Sequence, residues 1–183
     1  MSTERDAQRE RDKSRGANPD TPWFTTSWEV LYFETDRMGI VHHSNYIRWF
    51  EYARVHFLRA CGTSFEDLEA GGVESPVVSV SARYLKPSVF GDFLTIAIRC
   101  VRYTGVRMVF EYKVLDQAEA IICEGETQHA FALQESHRVI SLSRHRPALH
   151  NRFNELIQGR AIWEEPSVDE QHGNETSVSN SPD

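Results

Sequence analysis

Between Tyr32 and Arg54 the chain reads Tyr-Phe-Glu-Thr-Asp-Arg-Met-Gly-Ile-Val-His-His-Ser-Asn-Tyr-Ile-Arg-Trp-Phe-Glu-Tyr-Ala-Arg. This stretch holds a carboxylate at Asp36, a conformationally free residue at Gly39, and two imidazoles at His42 and His43 just ahead of a helix start. Asp36 has two readings. Thr-Asp followed three residues later by Gly is ordinary turn chemistry, in which the side chain bonds its own backbone. A carboxylate beside a helix start also lies near N–H groups that have no intrahelical acceptor and favour negative charge. In that reading a nucleophile or base stands next to an oxyanion site.

His42 and His43 have the chemistry of metal ligands. Adjacent residues seldom aim at one ion, however, and neither a Cys nor a third His stands at zinc-like spacing, so no metal site is expected. His129 falls in a predicted strand and reads as a packed or exposed strand residue rather than a catalytic one. Tyr46, Trp49, Phe50 and Phe57 read most simply as core, ligand contact by Tyr46 or Trp49 being the lesser alternative. The sequence contains no Gly-x-Ser-x-Gly elbow, no motif that joins a Cys to a His, and no Walker or dinucleotide glycine fingerprint.

The elements that must position these groups follow from periodicity. Residues 26–33 alternate, with Trp28, Val30 and Tyr32 on one side, and predict a first strand. Residues 34–43 are polar, contain Gly39, and predict a loop. Ser44 and Asn45 are both suited to cap a helix. Tyr46, Trp49, Phe50, Ala53, Phe57 and Cys61 then recur at three- and four-residue intervals up to Gly62, which suits a left-handed helix end. This predicts a helix of about 17 residues, roughly 25 Å long.

A short helix is expected over 63–70, stopping at Gly71-Gly72. Residues 76–85, 92–101, 106–115 and 121–133 read as four further strands, with hairpin turns at 103–105 and 116–118. A terminal helix starts at Pro147 and ends near Gly159. The order of elements predicts an α+β domain whose long helix lies on one sheet face.

At 183 residues there is room for one domain with a sizeable core. The domain is expected over 21–162, between a charge-balanced tail at 1–20 and an acidic tail at 163–183, both expected to be disordered. Residues 21–162 carry 15 basic and 16 acidic residues with no basic stripe, which argues against a nucleic-acid partner. No apolar run reaches membrane-span length, and the amino terminus has neither a signal-peptide core nor a transit-peptide composition. Cys61, Cys100 and Cys123 are widely spaced among apolar neighbours and read as reduced core thiols, which suits the cytoplasm.

The motif Tyr32-Phe33-Glu34-Thr35-Asp36, followed by Gly39-Ile40-Val41-His42-His43-Ser44-Asn45-Tyr46 and Trp49-Phe50-Glu51-Tyr52-Ala53-Arg54, resembles the hotdog-fold acyl-CoA thioesterases. The likeness is to the 4-hydroxybenzoyl-CoA thioesterase type, including its Tol-Pal-associated branch. Tyr84-Leu85-Lys86-Pro87 with Asp92, Leu94, Thr95 and Ile96 extends it, so that it covers roughly 26–142. The resemblance implies a five-stranded antiparallel sheet wrapped around the long helix, and a homodimer or homotetramer with acyl sites between protomers. It places the catalytic carboxylate on Asp36 and the N–H that polarises the thioester carbonyl on His43. Tyr32, Gly39, Ser44, Asn45 and Tyr46 become substrate-binding positions, and Lys86, Arg102 and Arg107 become candidate contacts to coenzyme A. No cofactor is implied, because coenzyme A belongs to the substrate. A non-hydrolytic acyl-CoA-binding protein, either a sensor or a complex subunit, is the alternative from another class. A dehydratase of the same fold would need a His and an acidic residue in motifs that this sequence lacks.

Overall fold

The structure, a computed structural model, describes residues 21–160. The expected tails therefore lie outside the described residues, as do the last two positions of the expected domain. Strand β1 runs over Phe24–Glu29, the long helix α1 over Ser44–Ala60, and a short helix α2 over Phe65–Ala70. A two-residue strand β2, Val73–Glu74, precedes β3, Val77–Tyr84, β4, Phe93–Tyr103, β5, Arg107–Leu115, and β6, Ile121–Ala130. The chain then forms β7, Ala132–Leu133, α3, Leu142–His145, and α4, Pro147–Ile157.

The main sheet has the order β1-β4-β5-β6-β3, and every pairing in it is antiparallel. It wraps around α1 in the hotdog arrangement. One face is apolar: Leu94, Ile96, Ile98 and Cys100 of β4 and Met108, Phe110, Tyr112 and Val114 of β5 join α1 in the core. Several intervening positions bear charge, as in the Arg99–Glu111 ion pair at 2.7 Å, and Trp23 lies against both Arg99 and Lys113. This period of two is what a sheet with one buried face requires.

The predicted stripe of α1 is the buried one, since Tyr46, Trp49, Phe50, Ala53, Phe57 and Cys61 are all core residues. Each large side chain among them contributes about 1.5–3 kcal/mol by leaving water. The helix sits very close to the sheet at Gly125, where a Cβ would come within 2.3 Å of the Phe50 ring and 2.9 Å of the Ser81 carbonyl. Gly125→Ala would push the helix away, because interiors packed this densely have no slack. At the far end Gly62 has φ +72°, the left-handed conformation expected of a residue just past a helix.

Several boundaries differ from the sequence reading. The first strand stops at Glu29 rather than 33, because residues 32–34 curl into a 3₁₀ turn. The Glu34 carboxylate holds that turn by accepting the Leu31 N–H at 2.8 Å. Tyr32 consequently loses its place in the alternation and is 77% exposed, whereas Val30 is fully buried. Neither Ser44 nor Asn45 caps α1. His43 occupies the cap position with helical dihedrals and no side-chain cap bond, because the Asn45 amide is drawn inward to the Glu34 carbonyl at 2.7 Å. The single strand expected over 121–133 breaks after Ala130, and its last residues pair with β2 rather than the main sheet. Helix α3 has no counterpart in the periodicity.

Candidate active site

The segment from Glu34 to His43 is a loop tied down by its own backbone. Asp36 N–H donates to the Ile40 carbonyl at 2.8 Å and Gly39 N–H to the Asp36 carbonyl at 2.9 Å. The Asp36 carboxylate accepts the Met38 N–H at 2.7 Å. This is the Asx-type turn expected of Thr-Asp followed three residues later by Gly, and Gly39, at φ +76°, supplies the left-handed residue that closes it. The turn does not consume Asp36. The side chain is half-buried and faces a cavity of about 430 Å³, so one carboxylate both shapes its loop and lines a pocket.

Three further hydrogen bonds close that loop on itself and hold it against β3 and the segment that follows β3. Val41 N–H donates to the Ser88 carbonyl at 2.8 Å, and His42 N–H to the Glu34 carbonyl at 2.9 Å. The Tyr84 hydroxyl donates to the His43 carbonyl at 3.1 Å. Asp36, His43, Tyr46, Tyr84, Leu85 and Lys86 thereby come together around the cavity, which Met38, Ile40, Val41 and Pro87 complete. Its floor is aromatic, with the Tyr46 and Tyr84 rings 5.2 Å apart. Burial pushes both phenols above their ordinary value, so at neutral pH each is a neutral hydroxyl. Tyr46 shares its hydroxyl hydrogen bond with Ser88 at 3.4 Å.

The N–H of His43 lies at the start of α1, where the helix supplies no acceptor and the backbone carries partial positive charge. The imidazoles act locally. The rings of His42 and His43 lie 4.1 Å apart, and His42 Nδ1 is 2.8 Å from the Ser44 hydroxyl. Among the described residues no group of three His, Cys, Asp or Glu could hold a metal ion.

The remaining expected site residues are dispersed. Tyr32 and Gly39 lie on the exposed side of the loop, with Tyr32 packed edge-on against Phe90. Asn45 is buried beneath the site. Lys86, at the mouth, lies 3.8 Å from Asp116. Arg102 is near the end of β4 and Arg107 opens β5, whereas the chain that leads into the loop meets the opposite end of β4, where Val30 N–H donates to the Asp92 carbonyl at 2.9 Å. Roughly 30 Å of strand separates Arg102 from that end, so a single chain does not bring these arginines to Asp36.

The sequence reading gave no role to Glu34, and none to Tyr84 individually. Tyr84 carried a signal as the first residue of Tyr84-Leu85-Lys86-Pro87. Glu34 carried none, since a Glu in a polar loop is normally solvated.

A model of the thioesterase-like superfamily matches residues 30–153. YneP of Bacillus subtilis (strain 168) is 32% identical over 125 residues, which cover 68% of this chain and 91% of that protein. The acyl-CoA thioester hydrolase YbgC of Escherichia coli O157:H7 is 28% identical over 106 residues, covering 58% of this chain and 79% of YbgC. Among solved structures, the DHNA-CoA thioesterase from Staphylococcus aureus superimposes with a TM-score of 0.71 at 28% identity, over 73% of this chain and 90% of that one. Fold, cavity and sequence agree, and the chain belongs to the thioesterase-like superfamily.

Proposed function

We propose that this chain hydrolyses an acyl-CoA thioester to the free acid and coenzyme A, with Asp36 as the reacting carboxylate and the His43 N–H as oxyanion donor. The observation that carries this reading is that Asp36 and His43 line one cavity at the amino-terminal end of α1. As a general base, Asp36 takes a proton from water while the water oxygen bonds to the carbonyl carbon. As a nucleophile, it forms a mixed anhydride that water then opens. In both routes the carbonyl oxygen gains negative charge facing the helix start, the C–S bond breaks, and the sulfur leaves as the coenzyme A thiolate. A donor fixed before the reaction costs no reorganisation as that charge develops, which is where such stabilisation acts.

Tyr46 and the apolar wall formed by Ile40, Val41 and Leu85 are assigned to the acyl group, and Lys86 at the mouth to coenzyme A. The finer placement in the 4-hydroxybenzoyl-CoA type and its Tol-Pal-associated branch rests on the Tyr32–Arg54 motif. A homodimer or homotetramer is part of the same reading. Its support is strand β3, which forms a sheet edge and leaves Val77, Val78, Val80 and Tyr84 between 43 and 52% exposed. An apolar edge of that kind invites pairing with a second copy. Arg102 and Arg107 would then reach coenzyme A only from the neighbouring copy. A cytoplasmic site of action is supported by Cys61, Cys100 and Cys123, which are free and buried. No helix among the described residues is long and apolar enough to cross a membrane.

The test is thiol release from a panel of short, long and aromatic acyl-CoAs, with wild type and Asp36→Asn compared side by side. Turnover of at least one substrate by wild type, lost in the variant while acyl-CoA still binds, is the expected result. Binding without turnover by wild type would instead identify an acyl-CoA-binding protein.

A further inference from the structure

Glu34 is 3% exposed, and among the described residues it forms no ion pair. Its carboxylate is surrounded by N–H donors from three places. One oxygen accepts the Trp49 indole N–H of α1 at 2.7 Å. The other accepts the Trp28 indole N–H of β1 at 3.0 Å and the Leu31 backbone N–H at 2.8 Å. Its backbone carbonyl takes two more donors, the His42 N–H at 2.9 Å and the Asn45 amide at 2.7 Å. One residue thus joins the end of β1, the reactive loop and the first two turns of α1.

A buried carboxylate without a cation is expensive, and an apolar side chain in its place would leave three buried N–H donors unpaired. What a carboxylate does that others do not is accept on both oxygens. An indole nitrogen can only donate, as can a backbone N–H, so all three partners here are satisfied by an ionised acid and by no neutral side chain of the same shape. The placement matters for chemistry. Asp36 follows Glu34 by two residues, and His42, held by the Glu34 carbonyl, is bonded directly to the His43 nitrogen.

We propose that Glu34 is a positioning residue for thioester hydrolysis, clamping the Asp36 loop to the amino-terminal end of α1 so that carboxylate and oxyanion donor meet the same carbonyl. The proposal rests on the assignment of Asp36 and His43 made above. Glu34 itself stays out of the cavity and touches no substrate.

Glu34→Gln tests it. The amide can present its oxygen to Trp28 and Leu31, but its NH₂ then opposes the Trp49 N–H, two donors face each other, and the helix start shifts. A displacement on the order of 1 Å between reacting groups costs about 10²-fold. Measured on folded protein well below its melting temperature, kcat should fall by about that factor, while KM and the affinity for a non-hydrolysable thioether analogue change less than about threefold. Trp49→Phe removes the opposing donor, so adding Glu34→Gln in that background should lower kcat only about threefold further. Wild-type kcat in Glu34→Gln, a loss confined to KM, or an equal loss in both backgrounds overturns the proposal. Asp36→Asn separates it from its premise. An active Asp36→Asn variant sinks the catalytic assignment, and with it the role given to Glu34. If Asp36→Asn is inactive while Glu34→Gln turns over normally, Glu34 alone is refuted.

Discussion

The two ends of α1 are built from one continuous helix and treated in opposite ways. At the carboxyl end Cys61 is fully buried, and Leu149, Phe153 and Leu156 of α4 belong to the same core. The chain leaves through Gly62, where Thr63 N–H returns to the Leu58 carbonyl at 3.1 Å. At the amino end the cap residue His43 makes no side-chain cap bond, the Asn45 N–H returns to the His42 carbonyl at 2.9 Å, and a cavity of about 430 Å³ opens beside the helix start. The difference is instructive because both ends begin with the same excess of unpaired backbone groups. One end satisfies them internally and stabilises the fold. The other sets the His43 N–H beside a pocket, where a ligand can use it.

Removing the carboxylate at the open end should have the largest effect. Asp36→Asn is expected to lower thiol release by about 10³-fold, within the range for a lost acid–base group, with an unchanged melting curve. The closed end should behave inversely. Phe153→Ala is expected to lower unfolding free energy by about 3 kcal/mol or more in urea titration, with kcat per folded molecule unchanged.

His43 distinguishes backbone from side chain at the open end. Its φ of −52° suits proline, so His43→Pro removes the N–H while keeping the helix start. Loss of one oxyanion donor should cost about 10²-fold in kcat, and His43→Ala, which retains the N–H, should stay within about threefold. Equal effects from both variants would show that the imidazole acts and the backbone does not.

Midway between the ends lies a second buried polar cluster. Arg54 donates to His129 at 2.6 Å, and Thr127 lies 2.8 Å from the other ring nitrogen and 2.9 Å from the Tyr112 hydroxyl. Burial, and then the neighbouring Arg54 charge, push His129 down to about 3 from an ordinary 6.5. The folded state therefore excludes a proton that the unfolded chain accepts. Stability from this group is fully present above pH 6.5 and is lost as pH falls from there toward 3. Between pH 7 and pH 5 the loss should be about 2 kcal/mol, measured by urea titration. A His129→Gln variant should show a correspondingly flatter profile. This is the smallest of the expected effects and the one least tied to either end.

The contrast also marks what could be read ahead of the structure. The stripe from Tyr46 to Cys61 and the stop at Gly62 follow from local periodicity and local conformation, and both stand in the folded chain. Asp36 was visible because its motif is dense. Arg102 and Arg107 were carried to the site by resemblance, yet one chain leaves them at the other end of the strands. Glu34 was hidden for a different reason. A carboxylate in a polar loop reads as solvated, and only the arrival of Trp49, fifteen residues later, buries it. Ser44 and Asn45 misled similarly, because Asn45 donates its side-chain amide to the Glu34 carbonyl, which turns the side chain away from the helix N–H groups it would cap.

By itself, then, the sequence determined the long amphipathic helix, the alternating strands, and a carboxylate set before a helix start. These depend on interactions between residues a few positions apart. The tertiary structure alone decided which helix end stays open, where the cavity forms, and what holds the loop in place. Those features depend on contacts such as Glu34 with Trp49, Tyr46 with Ser88, and Tyr84 with His43. Such contacts form only when strands and helix have closed on one another, and no local propensity encodes them.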